Sequence, residues 1–388
     1  MKFSEKILSV KPSATLTITS KAKAMKKEGK DVIILAAGEP DHDTPDVIKK
    51  AAIKAINDGL TKYTPASGTL SLKKAVCGKL KKENGIDYST DEIVISNGAK
   101  HSIFNALLSL CNEGDEVMIV EPYWVSYPEM VKIAGGVPVA LKTSPENGLK
   151  LSPETLEKAI TEKTKALILN SPSNPSGVVY DRSELEEIAG ICADKGVYII
   201  SDEIYEHIIY DGKKHVAVAS LSEEIKKMTI TINGVSKSHS MTGWRIGYMA
   251  CDKKIADLAS TLQGQATSNP CSISQAAAEA ALTEDMSSEF GANLEKFTKR
   301  RDRLIELLED EDRISPLKPQ GAFYMFCDIS ACGLDSLTFA KRLLDEKSVA
   351  VIPGGPFGDD RFVRISFATD MQTIEEGMRR IKDWVKTL

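Results

Sequence analysis

Short, unbroken apolar runs alternate with amphipathic stretches along this chain from about residue 46 to 285. The runs are Ile93–Ile95, Val117–Val120, Ala166–Leu169, Val197–Ile200 and Thr229–Ile232. A strand with one wet face alternates apolar and polar positions. A continuous run marks burial on both faces, the condition of a strand in a parallel sheet covered by helices. Between the runs lie stretches with helical spacing, such as Pro45–Ile56. The alternation predicts an α/β fold of the doubly wound kind, with a mainly parallel sheet flanked by helices. In such a sheet ligands sit beyond the carboxyl ends of the strands, so the residues after each run are the candidates for chemistry.

The remainder reads differently. A long charged helix is predicted over Ser287–Leu308. Short strands follow at Ala322–Phe326, Val349–Ile352 and Phe362–Ser366, with helices at Ser336–Lys347 and Thr373–Thr387. This pattern predicts a smaller α+β domain of residues 286–388, with residues 1–45 packed onto it, beside a large domain of residues 46–285.

Composition narrows the partners. The 388 residues are 42% hydrophobic, enough for a large core and more than one domain. A net charge of -5 shows no basic patch for nucleic acid and no acidic tail. Met1–Val10 lacks the apolar core of a signal peptide, and no apolar run reaches membrane-spanning length. A cytoplasmic protein with small-molecule partners, and neither nucleic acid nor membrane, is expected. The seven cysteines are irregularly spaced without a Cys-x-x-Cys pair, and the five histidines are scattered, so reduced thiols and no metal site are expected.

The richest segment is Asn233–Gly247, which follows the Thr229–Ile232 run. Lys237 stands there between two serines, and Arg245 follows eight residues later between Gly243 and Gly247. A lysine amine forms a Schiff base with an aldehyde, and a guanidinium holds a phosphate through paired hydrogen bonds. Pyridoxal 5'-phosphate carries both groups. The other strand ends offer matching parts. The turn Ser96–Ser102 opens a helix with free N–H groups suited to a phosphate, or is an ordinary helix cap. Trp124 could stack on a ring or pack in the core. Asn174, in the turn Asn170–Gly177, could donate to a phenolic oxygen or serve the turn alone. Asp202 could pair with a protonated pyridine nitrogen or cap a helix, and Tyr205 could reach the ring oxygen. Arg364, inside a strand, calls for a substrate carboxylate or a structural ion pair.

These residues, in this order, resemble the fold-type I pyridoxal-phosphate enzymes of the aspartate aminotransferase superfamily, class I. The chain is most similar to the bacterial branch, which includes prephenate aminotransferases. The resemblance is carried by Lys11-Pro-Ser-Ala-Thr15, Ala37-Gly-Glu-Pro-Asp41, Lys62-Tyr-Thr-Pro65, Tyr123–Met130, Asn170–Gly177, Ser201–Tyr205, Asn233–Tyr248 and Gly321-Ala-Phe-Tyr324. It implies a fold-type I transferase architecture and a set of roles. Lys237 would hold the cofactor and shuttle a proton. Asp202 would pair with the ring nitrogen, Asn174 and Tyr205 with the ring oxygen, and Trp124 with the ring face. Gly98, Ala99, Lys100, Ser236 and Arg245 would hold the phosphate, joined by Tyr63 from the neighbouring subunit of a homodimer. Gly38 and Arg364 would hold the substrate α-carboxylate.

Departures from the family pattern matter. Many relatives carry a phosphate-binding serine three residues before the lysine, where this chain has Gly234. The animal-type branch reads a distal carboxylate with an arginine beyond the lysine motif, yet residues 255 to 295 contain no Lys or Arg. The resemblance to the bacterial branch implies that Ser13, Thr15 and Lys100 serve instead. The expected activity is transfer of an amino group between L-aspartate, or a related amino acid, and 2-oxoglutarate. Alternatives are a prephenate, aromatic or alanine aminotransferase, or a β-lyase on the same fold. A non-catalytic effector domain of a transcription regulator would need a DNA-binding segment, which is not expected because the family-like pattern begins within the first dozen residues.

Overall fold

The structure is a computed structural model and describes residues 3–388. A short strand, β1 (Ile33–Ile34), precedes the seven that build the central sheet. These are β2 (Ile93–Ser96), β3 (Glu116–Val120), β4 (Val137–Leu141), β5 (Thr164–Asn170), β6 (Tyr198–Asp202), β7 (Thr229–Gly234) and β8 (Gly247–Ala250), in the order β2-β8-β7-β6-β5-β3-β4. Pairing is parallel from β4 through β3, β5 and β6 to β7, while β8 runs antiparallel between β7 and β2. The fold is therefore the mainly parallel sheet flanked by helices that the sequence predicts.

The unbroken apolar runs are explained by burial on both faces. Ile93 and Ile95 pack into one core cluster while Val94 enters another. Leu167 and Leu169 point to one side of the sheet, and Ala166 and Ile168 to the other. Each fully buried branched side chain contributes roughly 1.5–3 kcal/mol. Two strands of the sheet lie outside the predicted runs. β4 tolerates Pro138 because it is an edge strand, where a missing N–H leaves no ladder bond unmade. β8 opens on Gly247, where a Cβ would fall 2.2 Å from the Ala99 nitrogen, so a chemical motif and a strand overlap.

The C-terminal strands are β9 (Ser315–Leu317), β10 (Tyr324–Asp328), β11 (Val349–Ala350), β12 (Ile352–Pro353) and β13 (Phe362–Ser366). A four-stranded antiparallel sheet runs β12-β13-β10-β9, and β11 pairs with β1. The predicted strand Val349–Ile352 is thus two strands in different sheets. The predicted strand at Ala322 begins only at Tyr324, because Ala322 takes a left-handed backbone at φ 57°. The predicted long helix spans Ser287–Glu306. The last helix, Met371–Val385, buries Ile374, Met378, Ile381 and Trp384 at helical spacing.

Candidate active site

β2, β5, β6 and β7 run in one direction, so Ser96, Asn170, Asp202 and Gly234 all lie at one edge of the sheet. The loops beyond them surround a cavity of about 260 Å³. Ser13, Thr15, Gly38, Ala99, Lys100, Trp124, Asn174, Asp202, Tyr205, Ser236, Lys237, Arg245 and Arg364 all line it. Residues separated by hundreds of positions in the chain are brought together by strand order.

Lys237 follows β7 and donates from Nζ to the Gly38 carbonyl at 2.5 Å. Burial and the Arg364 charge push its pKa down to about 8, against the pull of Glu39. A lysine so placed holds a substantial neutral fraction near physiological pH, as a nucleophile or base requires. Asp202 ends β6. Its Oδ2 accepts from the Tyr127 hydroxyl at 2.7 Å and its Oδ1 from the Ile204 N–H at 3.3 Å. Burial raises its pKa to about 6, against those hydrogen bonds. A cationic ligand group beside it would restore its charge. The short turn after Asp202 brings Tyr205 round, and its hydroxyl lies 3.0 Å from that of Tyr324.

Arg364 sits in the middle of β13 and is 2% exposed. Its Nη1 donates to Asn174 Oδ1 at 2.8 Å and its Nη2 to the Ala36 carbonyl at 3.3 Å, while Nε has no partner among the described residues. The guanidinium lies 4.2 Å from the Tyr324 ring centre. The structural ion pair considered for Arg364 is not what holds it: its hydrogen-bond partners are an amide and a carbonyl. A buried cation without an anion is poised to take one.

The phosphate-like corner forms where β2 meets the helix Ala99–Leu110. Gly98 has φ 89°, and a Cβ there would meet the Arg245 guanidinium at 2.3 Å, so only glycine lets the turn and Arg245 approach. The Gly98 N–H is already bonded to the Ser96 carbonyl at 2.7 Å, leaving the helix-opening N–H groups of Ala99 and Lys100 as the donors facing the cavity. Lys100 Nζ lies 4.7 Å from the centre of the Trp124 ring, and burial together with Arg245 lowers its pKa. Gly234 leaves no room for the serine that many relatives carry, since a Cβ would sit 2.8 Å from the Gly247 Cα across the strand pair. Tyr63 lies outside this cavity and is 91% exposed.

Three residues without a role in the sequence reading belong to the site: Tyr127, Asn170 and Tyr324 line the cavity. Asn170 Nδ2 donates to the Asp202 carbonyl at 2.8 Å, and its Oδ1 accepts from the Asn174 N–H at 2.8 Å, tying the two loops together. The signal for Tyr127 was indirect: a buried aspartate needs a donor, and Tyr127 stands one turn beyond Trp124, edge-on to it at 5.4 Å.

Comparison with known proteins agrees with this geometry. Residues 30–381 match the family "Aminotransferase class I and II". The chain is 46% identical to the aspartate aminotransferase of Bacillus subtilis strain 168, over 100% of this chain and 99% of that one. It is 46% identical to a probable aspartate/prephenate aminotransferase of Aquifex aeolicus, over 96% of each chain. Among solved structures, that of Thermus thermophilus aspartate aminotransferase with maleate superposes with a TM-score of 0.96 at 39% identity, covering 99% of both chains. The chain belongs to the class I and II aminotransferases, and works with pyridoxal 5'-phosphate. No helix among the described residues is long and apolar enough to cross a membrane.

Proposed function

We propose that the protein transfers an amino group between L-aspartate, or a related amino acid, and 2-oxoglutarate. The observation that carries this reading is the charge of the cavity. Its lining includes four cations, Lys100, Lys237, Arg245 and Arg364, against one carboxylate, Asp202. That excess suits a cofactor phosphate and a substrate with more than one carboxylate. Ser13 and Thr15 add hydroxyls near the same cavity.

The residues fit the cofactor. The free N–H groups of Ala99 and Lys100, with Ser236 and Arg245, would take the phosphate. Trp124 would face the ring, Asp202 the ring nitrogen, and Asn174 and Tyr205 the ring oxygen. Bound pyridoxal 5'-phosphate supplies an aldehyde for attachment and an aromatic ring that draws electrons from the substrate α carbon. Lys237 provides the attaching amine and, once released, takes the α proton at Nζ and returns it. Asp202 keeps a proton on the ring nitrogen by countering its charge. Arg364 and the Gly38 segment hold the α-carboxylate so that the Cα–H bond lies within reach of Lys237.

The same reading includes a homodimer. Exposed Tyr63 and its neighbours Leu60 and Leu70 support it, with Tyr63 completing the phosphate site of the partner copy. It also includes a cytoplasmic location, and a division into a large domain of residues 46–285 and a small one of residues 1–45 and 286–388. The confinement of the seven-stranded sheet to residues 93–250 supports that division. A second substrate, prephenate, is favoured by the names of relatives such as that of Aquifex aeolicus.

Absorbance titration of the cofactor-loaded protein tests the proposal. Aspartate is expected to convert the visible band to the amino form of the cofactor, and Lys237→Ala to abolish the parent band. Conversion by phenylalanine but not aspartate would overturn the dicarboxylate reading. Light scattering at a single-copy mass would overturn the dimer.

A further inference from the structure

A buried ion pair lies behind the cavity. Lys79 is 5% exposed, and its Nζ donates to Glu206 Oε1 and, at 2.7 Å, to Asn84 Oδ1. Asn84 Nδ2 donates to Glu206 Oε2 at 2.9 Å, and Asn233 Nδ2 to Glu206 Oε1 at 2.6 Å. Both carboxylate oxygens are satisfied, and none of these residues lines the active-site cavity. Glu206 also lies near Glu203 and His215, and near Glu83 and His207, at distances that would suit a metal ion. The Lys79 ammonium, within salt-bridge distance of Glu206 and Glu83, already supplies the cation there.

The local backbone is shaped to make this cluster. The helix Leu70–Lys79 passes into a π-helical turn, Leu80–Asn84, which ends at the left-handed Gly85. π turns are rare, appear mostly as single turns within α-helices, and are frequent at functional sites. Here the wider turn lets residues five apart, Lys79 and Asn84, meet side by side. Burying an ion pair is often no better for stability than apolar packing of the same volume. A gain in fixed geometry explains it better.

The geometry at stake is that of the active site. Glu206 directly follows Tyr205 and stands four residues after Asp202, while Asn233 stands four before Lys237. Registered backbone pairing of β6 with β7 ends at Asp202 and Ile232. The Asn233–Glu206 bond continues the join beyond that pair, and Asn233 Oδ1 also accepts from the Gly234 N–H at 2.7 Å. We propose that Lys79, Asn84, Glu206 and Asn233 are positioning residues that set the separation of Tyr205 and Lys237. In the structure Lys237 Nζ lies 5.9 Å from the Tyr205 ring centre. This inference rests on Lys237 and Tyr205 serving the cofactor as proposed above.

The test is Asn233→Ala in the cofactor-loaded enzyme, read by visible circular dichroism of the bound cofactor, kcat and KM for aspartate, and Tm. A fall in kcat of about tenfold or more, with KM within about threefold, is expected. The visible dichroism changes while the far-ultraviolet spectrum does not. Lys79→Met lowers kcat further by leaving Glu206 unpaired. Lys79→Met with Glu206→Gln recovers much of that loss: the glutamine Oε1 still accepts from Asn233 Nδ2, and the Asn84 amide, freed of Lys79, turns over so that its Oδ1 accepts from the glutamine Nε2, with no buried charge left. Unchanged kcat and visible dichroism in Asn233→Ala, with only Tm lowered, would overturn the proposal and leave a fold brace. Absence of any visible band in the unsubstituted enzyme would overturn the cofactor reading, and this inference with it.

Discussion

The Tyr127 hydroxyl donates a hydrogen bond to Asp202 Oδ2 at 2.7 Å, with both side chains buried. Among the described residues it is the one side-chain donor to Asp202, and it pulls the aspartate pKa down against the effect of burial. Tyr127→Phe keeps the ring against Trp124 and deletes only the donor. A hydrogen bond to a charged group contributes about 1.5–3 kcal/mol, so kcat/KM for aspartate is expected to fall by about tenfold or more, with little change in far-ultraviolet dichroism. Steady-state kinetics at neutral pH checks this.

Asp202→Asn is expected to trade activity for stability in the cofactor-free protein. Burial raises the folded pKa from 3.8 to about 6. The folded state therefore binds a proton more tightly than the unfolded chain, and loses stability as pH rises between those values. Above pH 6 the full cost, about 3 kcal/mol, is present. Thermal melts should show the asparagine variant ahead at pH 7 to 8, with the advantage gone near pH 4. With Asp202 in its proposed place beside the ring nitrogen, activity should fall by on the order of a hundredfold or more, because asparagine supplies no counter-charge.

Attachment of the cofactor should follow the charge of Lys237. Its pKa of about 8 means that the neutral amine, the nucleophile, grows as pH rises through 8 and saturates above. The rate at which the cofactor-free protein captures pyridoxal 5'-phosphate should trace that curve. Arg364 is the second cause of the depression, after burial. Arg364→Met should move the midpoint to higher pH.

Arg364→Lys tests the fork geometry itself. A lysine keeps the charge but cannot donate in parallel to a carboxylate. Loss of one hydrogen bond to a charged group, about 1.5–3 kcal/mol, predicts a fall of roughly ten- to a hundredfold in kcat/KM. It should appear for both the amino acid and the 2-oxo acid, since both carry the α-carboxylate.

Gly234→Ser would restore the residue that many relatives carry, yet it is expected to harm the protein. The added Cβ would lie 2.8 Å from the Gly247 Cα and 2.9 Å from the Ile246 carbonyl. Overpacking of this kind costs about 1–3 kcal/mol. A lowered Tm without tighter cofactor binding is the expected result.

Much of this molecule is legible in the chain. The apolar runs identify five sheet strands because burial on both faces leaves no polar alternation. The Lys237 segment, the Asp202 turn and Arg364 announce themselves because charged groups at strand ends or inside strands need a chemical reason. Strand β8 is not legible, because its residues also form the tail of the lysine motif. The break at Ala322 is not either, since nothing local marks an alanine for a left-handed backbone.

The sequence by itself determined the α/β class and the family, and singled out side chains whose chemistry suits the cofactor, because residue type and local periodicity are properties of the chain alone. Only the tertiary structure decided that Tyr127 bonds Asp202, that Arg364 is buried without an anion, and that Gly234 has no room for a side chain. Only it joined Lys79, Asn84, Glu206 and Asn233 across 155 positions, counted from 79 to 233 inclusive. Desolvation and close approach depend on strand order and packing between distant segments, and no local pattern encodes them.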